Sequence, residues 1–242
     1  MKISNLFKHN WIAIFYFNFK MLPFKQAMKL PFDFFGKVKF INLSGKVILK
    51  TNKIKRSMIC FGVNQSTLFP AHTTTINISG EITFQGTANI GRGVIIESNQ
   101  GSKIIFGNNI GIGGLTKIMS QKNIKLSDNI SISWECQIMD SDFHFIRNIN
   151  TQEIKSRKNN IVIGSNTWIG NRVSICKGTT IPDYTIIASN SLCNKDYSKN
   201  NSHHIIIAGT PAKIVAEGYE RVFESLEPQL ITQLIENEKN IN

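Results

Sequence analysis

Apolar and polar positions along this chain follow an unusual spacing. In "NIVIGSNTWIGNRVSICKGTTIPDYTIIAS", residues 160–189, isoleucine returns at every sixth place: Ile163, Ile169, Ile175, Ile181 and Ile187. An α-helix repeats its apolar face every 3.6 residues and a strand every second one, so neither alone accounts for a period of six. Six residues do hold one short strand and one tight turn. Thr167, Val173, Thr179 and Thr185 stand two places before four of these isoleucines. Residues i and i−2 of a strand share a face, so each rung would turn two side chains inward.

The same spacing runs backwards through the chain. Rungs fall at Ile78, Phe84, Ile90 and Ile96, then after "ESNQGSKI" at Phe106, Ile112 and Ile118, then after "SQ" at Leu126, Ile132 and Ile138. Residues 139–160 carry no such period. Between rungs stand Gly91, Asn108, Asn109, Asp128, Asn129, Gly164, Asn166, Gly170 and Asp183, residue types that tolerate tight turns and positive φ. Three bends return the chain to its start about 4.8 Å higher, the spacing of hydrogen-bonded strands. The rungs predict an all-β chain wound into about five coils of a three-sided parallel β-helix.

Three regions follow: a basic, aromatic segment over 1–60, the β-helix over 61–213 with a loop insertion at 139–160, and a tail over 214–242. The tail reads as a helix interrupted near Pro228, with Val222, Leu226, Leu230, Leu234 and Ile235 at helical spacing, covering the open end of the solenoid.

Charge sharpens this division. The 242 residues carry a formal +12, but residues 1–60 hold 12 Lys/Arg against Asp33 alone, while the remainder holds 16 against 15. A nucleic-acid binder spread along the solenoid is excluded by that balance. Residues 1–35 set Trp11, Phe15, Tyr16, Phe19 and Phe24 among Lys8, Lys20, Lys25 and Lys29. One reading is helices packed on the solenoid with lysines in water; the other is a peripheral contact with an anionic membrane surface. The run "WIAIFYFNF" is too short to span a bilayer, and no signal-peptide cleavage site follows it. Cys60, Cys136, Cys176 and Cys193 form no C-x-x-C pair, so neither zinc nor a disulfide framework is expected, and a cytoplasmic setting fits.

"IVIGSNTWIGNRVSICKGTTI", "SLCNKD" and "IIAGTPAKIV" resemble the closing coils of the hexapeptide-repeat acyltransferase family, over about residues 76–216. The stretches "YFNFKMLPFKQAMKLPF" and "MDSDFHFI" look like the subgroup that O-acetylates sugars of capsule and lipopolysaccharide. The resemblance implies a left-handed helix, a homotrimer with the donor site between subunits, acetyl-CoA as co-substrate and a saccharide acceptor. It also implies that His144 removes the proton from the acceptor hydroxyl.

Asp140, Asp142 and His144 alternate, so an extended strand would project all three to one side, with either carboxylate fixing the imidazole. The competing readings of the trio are an exposed loop histidine and a two-carboxylate, one-histidine metal set. By motif position, Asn171, Ser189, Asn194 and Lys195 would touch the pantetheine arm, Lys213 would sit near the nucleotide phosphates, and Trp168 would wall the acetyl pocket. Against these stand ordinary surface lysines and a tryptophan packed between subunits. No metal is expected: a zinc enzyme of this shape would need histidines on adjacent coils, and residues 145–202 contain none. The alternatives are an N-acetyltransferase on a nucleotide-linked amino sugar, for which residues 1–75 lack a Gly-rich βαβ pattern, and a non-catalytic binding solenoid.

Overall fold

The inward isoleucines stack along the axis of a triangular prism in a computed structural model, which describes residues 9–67, 72–199, 203–224 and 226–239. Lys8 of the basic segment lies outside those residues. Face I comprises strands Phe32–Phe34, Ile59–Val63, Ala88–Gly91, Ile110–Ile112, Ile130–Ile132, Trp168–Ile169, Thr185–Ile187 and Ile205–Gly209. Face II runs from Val38–Leu43 through Thr74–Ile78, Ile95–Ser98, Lys117–Ser120, Gln137–Met139 and Ser174–Cys176 to Leu192–Cys193. Face III runs from Lys46–Leu49 through Glu81–Phe84, Lys103–Phe106, Asn123–Leu126 and Ile161–Ile163 to Thr180–Ile181. Neighbouring strands within each face are parallel.

All fifteen rung side chains are at most 3% exposed. So are the inward residues two places before them, including Thr167, Val173, Thr179 and Thr185. Each buried isoleucine withdraws enough apolar surface to stabilise the fold by about 1.5–3 kcal/mol. The five coils counted between Ile78 and Ile187 are present, and the winding continues beyond them at both ends.

The solenoid begins at Phe32 rather than at residue 61. Its first coil uses Phe32–Phe34, Val38–Leu43 and Lys46–Leu49, whose spacing is not hexameric and whose inward residues include phenylalanines. Phe34 stacks on Phe61 with centroids 5.3 Å apart, and Phe84 stacks on Phe106 at 4.9 Å. Helix α1 (Trp11–Met21) lies across the exposed edge of this coil and turns Ala13, Ile14, Phe17, Asn18 and Met21 inward. Buried Asn18 acts as a substitute strand: its amide donates to the Phe32 carbonyl at 2.9 Å and accepts from the Phe32 N–H at 3.1 Å. Pro23 ends that run, and the one-turn helix α2 (Phe24–Ala27) follows.

At the other end the chain doubles back. Residues expected to enter the tail helix instead form Ala212–Glu217, antiparallel to Ile205–Gly209. Gly218, at φ +81°, stops that strand. Helix α3 (Pro228–Lys239) starts at the proline, whose fixed φ suits a first helical position. No helix among the described residues is long and apolar enough to cross a membrane.

Candidate functional site at one edge of the prism

The three edges of the prism differ. Where face III turns into face I, Asn109, Asn129 and Asn166 occupy successive coils at φ 59°, 55° and 56°. Their amides form a ladder, Asn109 donating to Asn129 at 3.1 Å and Asn129 to Asn166 at 3.0 Å. Nearby, a Cβ added to Gly164 would lie 2.5 Å from the Asp183 nitrogen of the following coil, so only glycine lets the two turns approach. Between Ile78 and Ile187 the edge between faces II and III holds every departure from the period: Asn99–Gly101, Ser120–Lys122 and the insertion over 140–160.

The insertion is a hairpin projecting from that edge. Ile146–Arg147 pairs antiparallel with Ile154–Lys155, the Asp142 N–H donates to Arg157 O at 2.8 Å, and the Asn159 N–H donates to Asp140 O at 2.9 Å. Phe145, Ile146, Ile149 and Ile154 are exposed along it. His144 is exposed near its base and makes no hydrogen bond or ion pair among the described residues.

The aspartates part company. Phe143 takes a left-handed conformation, φ 65°, so the segment is not the extended strand that would align Asp140, Asp142 and His144. Asp140 is fully buried, continuing an inward column that begins with Ile78, Ser98 and Ser120. Its carboxylate accepts from Ser120 Oγ at 2.7 Å, the Gln121 N–H at 2.7 Å and the Lys122 N–H at 2.9 Å. It therefore holds the turn beneath the insertion and does not orient His144. Asp142 is half-exposed and paired with Lys177 Nζ at 2.5 Å. The same ammonium donates to Ser156 O at 2.6 Å, tying both arms of the hairpin to the coil above. Lys177 went unnoticed in the sequence, although counting rungs places it at this edge, one coil after the insertion.

The remaining candidates spread over the late coils. Trp168 lies outward on face I between Ser131 and Ile186, and its indole N–H donates to Ser133 Oγ at 3.4 Å. Arg221, from the segment that folds back after Gly218, sits 5.4 Å over the indole. Asn171 and Ser189 meet on the edge between faces I and II, where the serine hydroxyl donates to the asparagine amide oxygen at 2.5 Å. Asn194 and Lys195 are exposed on the edge that carries the insertion, the lysine 5.2 Å from the Tyr197 ring. Lys213 is exposed on the terminal antiparallel strand. A groove of about 470 Å³ runs lower on the edge between faces I and II, lined by His72, Glu135 and Gln137 among others.

In one chain, therefore, His144 and Trp168 do not share a pocket, because face I is opposite the edge from which the loop leaves. Burial raises the Cys136 thiol to about 11 and the Cys193 thiol to about 12, and it raises Cys176 as well, with the Asp142 charge adding to it. No three metal-ligating side chains converge among the described residues. His9 and His204 are paired with Asp33 and Glu220, at 2.9 Å and 3.0 Å, and His203 contacts His204 at 2.8 Å.

Comparison with known proteins agrees with the winding. Residues 160–195 match the family model described as bacterial transferase hexapeptide (six repeats). An uncharacterised 24.8 kDa protein in the cps region of Klebsiella pneumoniae is 31% identical over 201 residues, covering 81% of this chain and 84% of that one. The polysialic acid O-acetyltransferase of Escherichia coli O1:K1 is 30% identical over 121 residues, half of this chain but only 38% of that enzyme. The crystal structure of the polySia specific acetyltransferase NeuO superposes with a TM-score of 0.56 at 20% identity, covering 80% of this chain and 79% of that one. With its parallel three-faced winding, its buried six-residue rungs and these matches, the chain belongs to the hexapeptide-repeat acyltransferase family, whose fold is the left-handed β-helix.

Proposed function

We propose that this protein transfers an acetyl group from acetyl-CoA to a hydroxyl of a bacterial surface saccharide, with His144 as general base. The observation that carries the proposal is the insertion itself. It projects an exposed imidazole, with no hydrogen bond or ion pair among the described residues, from a prism whose inward side chains are packed in columns. The relative that acts on polysialic acid and the position of the other relative in a cps region support a saccharide acceptor.

The chemistry needs little else. Nε2 or Nδ1 of His144 takes the proton from the sugar hydroxyl as its oxygen attacks the thioester carbonyl, and returns it to the departing sulfur. Solvated Lys195 and Lys213 suit the anionic end of the donor. Asn171, Ser189 and Asn194 offer polar contacts to the pantetheine amides. The indole of Trp168 offers a flat apolar wall.

Because His144 and Trp168 lie on opposite sides of one prism, their meeting requires a second copy. A closed ring of three, with each loop reaching the neighbour's face I, satisfies this by symmetry. It also covers the exposed Phe145 and Ile149. Reduced thiols throughout fit a cytoplasmic enzyme.

The test is to incubate the protein with acetyl-CoA and capsule- or lipopolysaccharide-derived oligosaccharides and to follow free CoA together with the product. Release of CoA and an acetyl group removable by mild alkali is the expected result. An alkali-stable product would identify an amide and an amino-sugar acceptor, and the absence of any CoA binding would leave a non-catalytic solenoid.

A further inference from the structure

The basic character of the first 60 residues is not used by the acetyl-transfer chemistry, nor is the outer side of α1. That helix has no acidic residue and no polar face. While Ala13, Ile14, Phe17 and Met21 pack on the first coil, Ile12, Phe15, Tyr16 and Phe19 turn outward at 85%, 49%, 51% and 42% exposure. They recur at i, i+3, i+4 and i+7, forming one stripe along the helix. Phe24 and Met28 extend the patch at 70% and 60% exposure. A helix apolar on all sides belongs against something on all sides, and contiguous exposed patches of this kind mark interaction sites.

Charge and position identify the occupant. Exposed Lys20, Lys25 and Lys29 border the patch, and Lys37 and Lys39 follow on the first coil. The one acidic residue of the region, Asp33, is buried, where it accepts from Ser57 Oγ at 2.8 Å and pairs with His9. The surface at this end is therefore cationic without local compensation. Because Asn18 binds the free edge of Phe32–Phe34, α1 closes the N-terminal mouth of the prism. Its outer side faces away from the coils, not toward a copy packed laterally along the three faces. Copies wound side by side would present these patches in one direction, as a plane. The helix has 11 residues, so it is about 16 Å long, half the thickness of a hydrocarbon core. It suits lying in an interface and not crossing it.

We infer that the N-terminal cap docks flat on an anionic lipid surface, with the aromatic stripe at the depth of the headgroups and Lys20, Lys25 and Lys29 against the phosphates. Aromatic residues on one side and lysines beside them are the pairing such surfaces bind, each lysine contributing about 1 kcal/mol near the charged plane. This inference stands on the cap and not on acetyl transfer, so either can fail alone.

The full-length protein is floated with vesicles of phosphatidylcholine alone and with 30% phosphatidylglycerol added (roughly a cytoplasmic-leaflet charge density). Binding to the anionic vesicles that falls at least about tenfold in 0.5 M salt is expected, since screening shortens the reach of each lysine. A Phe15→Ser/Phe19→Ser variant and a Lys20→Glu/Lys25→Glu/Lys29→Glu variant should each lose binding, with unchanged circular dichroism and unchanged CoA release from acetyl-CoA. Absence of flotation at low salt overturns the inference. So does equal binding to neutral vesicles, or a serine variant whose only change is a smaller assembly size, which would make the occupant a second copy of this chain.

Discussion

Two edges of the same prism, built from the same residue vocabulary, behave differently. Between faces III and I the turn is repeated coil after coil: Asn109, Asn129 and Asn166 adopt the same left-handed backbone and hand their amides to one another. Between faces II and III the turns vary in length, from two residues at Ser79–Gly80 to four over 99–102, and one opens into a hairpin of about twenty residues that carries His144. The regular edge shows what the solenoid needs: small turns, satisfied amides and close coil-to-coil approach. The irregular edge shows where additions are tolerated, because a long insertion costs little extra closure entropy once its two ends are fixed. Asp140 fixes one end and Lys177 ties the arms.

The sharpest way to break this contrast is at Asp140. Its carboxylate is fully buried and takes three hydrogen bonds, two from backbone N–H groups. Asp140→Ala orphans those donors and should cost on the order of 3–5 kcal/mol, visible as a lower midpoint in urea. On the regular edge, Asn129→Ala removes two ladder bonds and forces alanine into left-handed backbone. About 2 kcal/mol is expected, with Asn129→Gly costing less because glycine accepts that φ.

Lys177→Met tests the tie itself. Its pair with Asp142 is partly solvated, so global stability should fall by less than about 1 kcal/mol. Amide hydrogens of residues 142–157 should nevertheless exchange faster than those of the coils, and acetyl transfer should drop by about tenfold as His144 loses its fixed base. If exchange in the hairpin stays the same, Lys177 is not the tie.

The smallest effect concerns the thiols. With Cys136 raised to about 11 and Cys193 to about 12 by burial, thiolate is scarce at pH 8 and grows only as pH rises toward those values. Iodoacetamide should label the native protein slowly at pH 8 and all four cysteines promptly in urea.

These residues also show what the sequence can and cannot disclose. The rungs were legible because a six-residue period admits only one way of keeping isoleucine dry, and every one of them is buried. The first coil was hidden, since Phe32–Phe34 and Val38–Leu43 carry no hexameric spacing and replace the isoleucine stack with phenylalanines. The placement of the candidate residues was only partly legible. His144 and the late-coil residues could be named from motif position, but the alternation of Asp140, Asp142 and His144 assumes a straight strand. Phe143 at positive φ removes that assumption, and a burial column three coils deep claims Asp140. Pairing between Asp142 and Lys177 is a contact across 35 residues that no local pattern announces.

The edge comparison rests on His144 being the group for which the insertion exists. The most direct measurement is kcat for acetyl transfer by His144→Gln, set beside its KM for acetyl-CoA and its assembly size. Loss of a positioned general base should lower kcat by about 10²–10⁴-fold with donor KM and assembly unchanged. A kcat within about twofold of the native enzyme, with transfer still to an alkali-labile ester, would contradict the account.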